Sequence, residues 1–165
     1  MGREVRMVPA NWQHPKDARG IYVPLFDGAK FVEEVAAWDL HDAKWSEGLR
    51  ENFVQAGQWA PLDAAWVGRT YAEWSGKRPK PEDYTPVVAP GTATHLMMYE
   101  NCTEGTPISP AFATPEELAR WLIDNEASAF GDQGASYEGW IRVAQGGYAP
   151  SMILDANGVR SGVDL

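Results

Sequence analysis

The sequence predicts a single α+β domain in which about four helices pack on a small antiparallel or mixed sheet. Two segments, 4–9 and 94–102, are predicted strands, whose side chains fall on two faces with a two-residue period. Two others open with an N-cap residue and continue with apolar residues at helical spacing. A chain of 165 residues, 44% of them hydrophobic, is long and apolar enough to bury one sizeable core.

The first half of the chain predicts one strand and two helices. Residues 4–9 alternate in polarity, and Pro9 ends that strand. Residues 11–28 are rich in proline, glycine and aromatic residues, which indicates an irregular segment held by its side chains. Residues 30–50 place bulky apolar side chains on one helical face. We expect Pro61 to open a second helix that ends at Gly76.

Prolines interrupt the middle of the chain. Residues 77–90 contain four of them, and each removes a backbone donor, so this stretch is expected to be a long surface loop anchored by Tyr84. A boundary between two subdomains would lie here. Neither half of the chain has a convincing core of its own, which favours one domain.

The second half predicts two strands and two helices. Residues 94–102 predict a strand with His95, Met97 and Tyr99 on one face and Thr94, Leu96 and Met98 on the other. Residues 105–112 look like a loop broken by prolines. Thr114 and Glu117 form a capping box that opens a helix. Ser136 caps the next helix, and a short strand over 151–154 precedes a turn at Asn157–Gly158.

Composition excludes several classes of protein. Acidic residues outnumber basic ones 23 to 14, and the net charge of −9 argues against direct binding to nucleic-acid phosphates. No apolar run approaches the length of a membrane span, and the N-terminus lacks the apolar stretch of a signal peptide. Cys102 is the only cysteine, so no intrachain disulfide forms, which fits a reducing cytoplasm.

Several short motifs resemble those of a group of small proteins encoded in phage and prophage genomes. The motifs are residues 3–9 with Asn11-Trp12 and His14-Pro15, then 98–100, 103–110, 114–122 and 128–131, then Tyr137-Glu138 and Trp140. They cover the first 15 residues and most of 94–154, but not 30–90. The resemblance implies a phage or prophage gene acting in a bacterial host's cytoplasm, and it brings with it no activity, cofactor or catalytic residue.

The segment around residues 104–109 is the strongest candidate for a ligand site. Gly105 allows a ligand to approach the backbone, and a helix N-terminus that favours anions follows. A rigid turn with hydroxyl-to-backbone bonds is the alternative interpretation. We expect the aromatic segment 11–22 to form an opposite wall. The predicted ligand-binding residues are Trp12, His14, Tyr22, His95, Glu104, Gly105, Thr106 and Ser109.

No catalytic, metal or cofactor site is predicted. The three histidines, His14, His41 and His95, show no helical metal-site spacing, and no Cys-x-x-Cys motif is present. Tryptophan is over-represented, with eight copies. Trp121 and Trp140 fall on helical stripes and are expected in the core, whereas Trp12 is expected to be partly exposed and able to stack on a base or sugar.

Three classes of function stay open. The first is a non-enzymatic phage protein that sequesters a nucleotide-like small molecule or occludes a host defence protein, as a monomer or a homo-oligomer. The second is a small nucleotide- or sugar-processing hydrolase or transferase. It would be built from His95 or His14, Glu100 or Glu104, and Ser109 or Thr106. The third is an acidic mimic of DNA, whose acids, however, form no long run.

Overall fold

The chain forms two compact units. A computed structural model describes residues 2–101, 105–150, 152–155 and 158–164. Unit 1 comprises Met1–Phe26 with Val87–Leu165, and unit 2, Asp27–Pro86, is inserted between these two stretches of sequence. That the whole chain forms a single domain stays a prediction.

Four α-helices and eight strands lie within the described residues. In chain order they are β1 (Gly2–Val8), α1 (Phe31–Ser46), β2 (Leu49–Glu51), β3 (Trp59–Pro61), α2 (Tyr71–Ser75), β4 (His95–Glu100), β5 (Thr106–Phe112), α3 (Pro115–Asp124), α4 (Tyr137–Gly146), β6 (Tyr148–Pro150), β7 (Met152–Asp155) and β8 (Gly158–Ser161). Antiparallel sheets with helices packed against them confirm the α+β class.

Unit 1 is built on a four-stranded antiparallel sheet with the order β5-β4-β1-β6. Strand β4 alternates as its sequence predicts, because successive side chains of a strand point to opposite faces. Met98 faces a core formed with α3 and α4, in which Leu118, Leu122 and Trp140 are fully buried. Met97 and Tyr99 face the other side. The helices therefore cover one face of the sheet and leave the opposite face to another segment.

Strand β5 corrects the expectation of a loop over 105–112. Its two prolines, Pro107 and Pro110, are tolerated because β5 is an edge strand, which pairs with β4 alone among the described strands. The ladder is irregular between Met97 and Tyr99, where the partners shift from Ala111 to Pro107. This bulge accommodates the prolines without ending the strand.

The helix starts predicted from capping motifs are confirmed. Thr114 accepts a hydrogen bond from the Glu117 backbone N–H, and the Glu117 carboxylate accepts one from the Thr114 backbone N–H. Ser136 caps α4 in the same way, through Gly139 N–H. Gly147 ends α4 in the left-handed conformation that favours glycine.

The helix predicted from Pro61 is wrong. Pro61 ends β3, which pairs with β2 in a hairpin that the sequence does not signal strongly. Helix α2 begins ten residues later, where Thr70 and Glu73 form a second capping box, and it ends at Gly76 as expected. A proline at a first helical position is only permissive, and the capping box supplies the stronger start.

Unit 2 is organised around aromatic rings. The indole of Trp45 is buried and contacts Trp66, Tyr71 and Trp74 at ring-centroid distances of 5.7–6.1 Å. Its N–H donates to the Arg69 carbonyl. Tyr84 is buried against Phe31 of α1, so it anchors the proline-rich loop as predicted.

The tail of the chain forms a ribbon. Strands β7 and β8 pair antiparallel, with Asp155 opposite Gly158, and the predicted turn residue Asn157 lies outside the described residues. Of the helices that the structure describes, none has the length and apolar character that crossing a membrane would need.

The capping box at Thr114 generates the first prediction. Thr114→Ala should lower the free energy of unfolding by about 1 kcal/mol, because the Glu117 N–H loses its acceptor. Urea denaturation followed by circular dichroism measures this change. Thr114→Ser, which keeps a hydroxyl acceptor, should stay close to wild type. Equal stability of the alanine and serine variants would contradict the capping role.

Candidate functional site

An N-terminal arm, residues 9–26, covers the sheet face that the helices leave open. A turn follows β1, in which Trp12 N–H donates to the Pro9 carbonyl. The arm then doubles back at Asp17, whose carboxylate accepts hydrogen bonds from the Arg19 and Ile21 backbone N–H groups. Lys16 and Tyr22 face each other across this turn in an isolated antiparallel bridge. The irregular arm predicted from the sequence is therefore a folded, hydrogen-bonded element.

The buried hydroxyl of Tyr99 ties the arm to the sheet. Trp12 Nε1–H donates to this hydroxyl at 3.2 Å, and His14 Nδ1 lies 3.1 Å from it. On its other side, His14 Nε2 lies 2.7 Å from the Val23 carbonyl, which can only accept. Nε2 therefore carries the proton, and Nδ1 of the neutral ring accepts from the Tyr99 hydroxyl, which also lies 3.4 Å from the weaker acceptor Met97 Sδ. The result is a directional chain from Trp12 through Tyr99 and His14 to Val23.

His14 is held in its neutral form. Only 6% of the residue is exposed, and this burial lowers the pKa of the imidazole, partly offset by the bond to the Val23 carbonyl. The positive charge of Arg6 lowers the pKa further. The Arg6 guanidinium lies 4.3 Å from the centre of the Tyr99 ring, so a cation and an aromatic face back the network.

The arm and the edge of the sheet enclose a cavity of about 740 Å³, here called the Trp12 cavity. This volume falls in the range of small-molecule sites. Its lining residues are Ala10, Trp12, Gln13, His14, Lys16, Tyr22, Met97, Pro107, Ile108, Ser109, Pro110, Ala111 and Trp121.

The Trp12 cavity is aromatic and weakly positive. Trp12, Tyr22 and Trp121 contribute ring faces or edges to its walls. Among the described residues that line it, Lys16 alone carries a formal charge, because His14 is neutral. The Lys16 ammonium lies 4.5 Å from the centre of the Tyr22 ring. In a chain of net charge −9, the lining of this cavity is therefore locally positive and aromatic.

The structure brings together four of the eight predicted site residues. Trp12, His14 and Tyr22 of the arm and Ser109 of β5 all line the Trp12 cavity. The two segments expected to form opposite walls therefore meet. Their role in binding a ligand stays a prediction.

The hydroxyls of Ser109 and Thr106 are engaged within the chain. Ser109 accepts a hydrogen bond from Met98 N–H at 2.9 Å and donates to the Pro110 carbonyl, which stabilises the bulge of β5. Thr106 donates to the Glu100 carboxylate at 2.7 Å. Ser109 thus makes the hydroxyl-to-backbone bond of the alternative interpretation, whereas Thr106 bonds to a side chain and the segment is a strand rather than a turn.

Gly105 lets its backbone pack closely against Arg6 and Leu25. Its φ of +90° favours glycine, and a Cβ here would lie 2.3 Å from both Arg6 Nη2 and the Leu25 carbonyl oxygen. Gly105 O in turn accepts a hydrogen bond from Leu25 N–H. The glycine thus lets the arm and Arg6 pack closely, whereas the sequence suggested room for a ligand.

Three other predicted residues, His95, Gly105 and Thr106, do not line the Trp12 cavity. Thr106 lines a separate cavity beside the turn of the arm, and Glu104 lies outside the described residues. His95 lines a third cavity of about 500 Å³, here called the Arg120 cavity. The Arg120 cavity is lined by His95, Ala111, Phe112, Ala113, Glu117, Arg120, Trp121 and Asp124.

Trp121 corrects the expectation of a core residue. It is half-buried and lines both the Trp12 and the Arg120 cavities, with its ring 6.0 Å from that of Phe112. It flanks the buried stripe of α3 where β5 ends the sheet, so no further strand covers it. Lys16 was also missed, although its place in the same aromatic segment as Trp12 and Tyr22 was a usable signal.

No group of three or more metal-ligating side chains comes together among the described residues. No protein-family model, curated protein or solved structure matches the chain.

The neutral His14 predicts a pH dependence of stability. Its pKa in the folded protein lies below the unfolded value near 6.5, so the unfolded chain binds a proton more readily. The resulting stability is fully present above about pH 6.5 and is lost as the pH falls through the lowered pKa. Protonation of Nδ1 would also remove the acceptor for Tyr99.

Urea denaturation at several values between pH 5 and pH 8 measures this dependence. His14→Gln should flatten the slope below about pH 6.5. The matched variant His95→Gln should keep it, because His14 remains. An unchanged slope in the His14 variant would show that another group governs the dependence.

Proposed function

We propose that this chain is a phage-encoded, non-enzymatic binding protein that sequesters a nucleotide-like small molecule in the bacterial cytoplasm. The Trp12 cavity is the binding site. The observation that carries the proposal is the pairing of aromatic walls with one lysine and no carboxylate among the described residues that line it. A base stacks on indole or phenol rings, and an ammonium attracts a phosphate.

Rigidity of the walls supports binding by a preformed site. Trp12 is fixed by its bond to Tyr99, and Tyr99 is fixed by His14 and by the packing of Arg6 on its ring. A wall that is already ordered loses little conformational entropy when a ligand binds. The arm therefore presents its aromatic residues in a defined geometry.

Within the Trp12 cavity, the contacts of the candidate catalytic residues His14 and Ser109 favour binding over hydrolysis, and the hydroxyl-to-carboxylate pair of Thr106 and Glu100 does not line this cavity. Both nitrogens of His14 are engaged, and its bond to Val23 holds the imidazole in place. The Ser109 hydroxyl is shared between Met98 N–H and the Pro110 carbonyl. A nucleophile and a base need a hydrogen bond to each other, and these side chains bond elsewhere.

Equilibrium binding of the four ribonucleoside monophosphates tests this function. At least one should bind to the wild-type protein in calorimetry, more weakly at higher salt because Lys16 contributes by charge. Lys16→Ala should weaken that affinity by about tenfold. Lys77→Ala, the matched removal of an exposed lysine from unit 2, should not change it.

The nucleotide recovered after prolonged incubation should be chemically unchanged. Conversion to a product, seen by mass spectrometry, would favour the hydrolase or transferase alternative. Absence of binding by all four nucleotides would overturn the proposed ligand class.

Occlusion of a host protein is a second candidate function, favoured by an apolar patch on unit 2. Phe53 and Val54 are adjacent and expose 76% and 90% of their surface, with Trp74 6.2 Å from the Phe53 ring. Exposed contiguous apolar residues are typical of protein interaction sites. In this function the patch, and not the Trp12 cavity, would carry the biological effect.

A pair of variants separates the two candidates in a phage-fitness or defence-inhibition assay. Phe53→Ser with Val54→Ser should abolish the effect if occlusion is the function, and should leave nucleotide binding intact. Lys16→Ala should weaken the effect if sequestration is the function. Loss of the effect only in the Phe53→Ser, Val54→Ser variant would assign occlusion, and weakening only in Lys16→Ala would assign sequestration. Circular dichroism checks that both variants fold.

A further inference from the structure

Trp121 forms a shared wall between two cavities. With Ala111 it lines both the Trp12 cavity and the Arg120 cavity. Each cavity is large enough for a small ring-containing group. A ligand that fills both would pass along the open edge of β5.

The two cavities differ in charge. The Trp12 cavity has Lys16 as its charged lining residue. The Arg120 cavity is lined by one basic residue, Arg120, whose guanidinium lies 4.7 Å from the centre of the Tyr137 ring, and by the acidic residues Glu117 and Asp124. Carboxylates accept hydrogen bonds from amino groups, and Phe112 and Trp121 supply apolar ring surface. This second cavity therefore suits an uncharged ring that bears N–H donors, such as a base, better than a phosphate.

The edge strand argues against a peptide as the occupant. A peptide that extends a sheet needs a row of backbone donors and acceptors along the exposed edge. Pro107 and Pro110 have no N–H, and Ser109 between them sits in the bulge that interrupts the ladder. The cavities on this edge are thus better fitted to a small molecule.

We propose that the ligand is a dinucleotide, two nucleosides joined through phosphate, whose two bases occupy the Trp12 and Arg120 cavities. The phosphate lies toward Lys16, and Trp121 contacts both halves. This inference rests on the proposed function, because it assumes that the Trp12 cavity binds a nucleotide.

Calorimetry with adenosine monophosphate and with 5′-phosphorylated diadenylate tests the inference. The dinucleotide should bind about tenfold more tightly or better, since stacking of a second base adds affinity. Ala113→Phe should abolish this gain by filling the Arg120 cavity, because Ala113 is exposed and lines that cavity. The affinity of the Ala113→Phe variant for adenosine monophosphate should stay at the wild-type value. Gln145→Phe, which introduces the same side chain at an exposed position of α4, should leave both affinities unchanged.

The outcomes separate this inference from the function on which it rests. Equal affinities for the two nucleotides, or a gain that survives Ala113→Phe, would overturn the dinucleotide and leave nucleotide binding standing. If neither nucleotide binds to the wild-type protein, both the proposed nucleotide binding and the dinucleotide inference are overturned for adenine nucleotides. Circular dichroism checks that Ala113→Phe folds. Asp124→Asn, a milder change in the same cavity, tests the gain independently and should reduce the extra affinity for the dinucleotide.

Discussion

The hydroxyl of Tyr99 holds the candidate site together. It lies in the sheet, fully buried, and meets both Trp12 and His14 of the arm. A buried hydroxyl without partners would destabilise the fold, and a buried imidazole needs partners for both nitrogens. Each group satisfies the other, so the arm must lie on the sheet in one position. The aromatic walls of the Trp12 cavity follow from that constraint.

The edge of the sheet supplies the rest of the site. Among the strands that the structure describes, none pairs with the outer side of β5, and its prolines and bulge make it a poor template for another strand. The same features leave ring surface uncovered, because Trp121 extends past the buried stripe of α3. The prolines and the bulge that protect this edge strand from pairing thus also create a concave surface where a small molecule can bind.

The two units use aromatic residues in different ways. In unit 1, hydrogen bonds hold Trp12 and the helix core holds Trp140, and ring contacts such as that of Phe112 with Trp121 add to them. In unit 2, rings pack mainly on one another around Trp45, and Phe53 stays largely exposed. The first arrangement suits a defined cavity, and the second offers a surface for a larger partner.

Local signals in the sequence determined the α+β class, strands β1 and β4, the starts of α3 and α4, and the two faces of β4. Capping boxes and two-residue alternation depend on neighbouring residues, so they can be read without a fold. Residues of the aromatic segment also line one cavity with Ser109, which the sequence suggested from a strand, a hydroxyl-bearing segment and a helix start in succession.

Only the tertiary structure decided the remainder. The sequence of β5 looks like a loop, and it forms a strand because an edge position tolerates proline. Trp121 has the spacing of a core residue, and it lines a cavity because the sheet ends beside it. Ser109 and Gly105 look like ligand contacts, and they serve a bulge and a close approach of the chain to itself. Each outcome depends on a partner that is distant in sequence, which local patterns cannot specify.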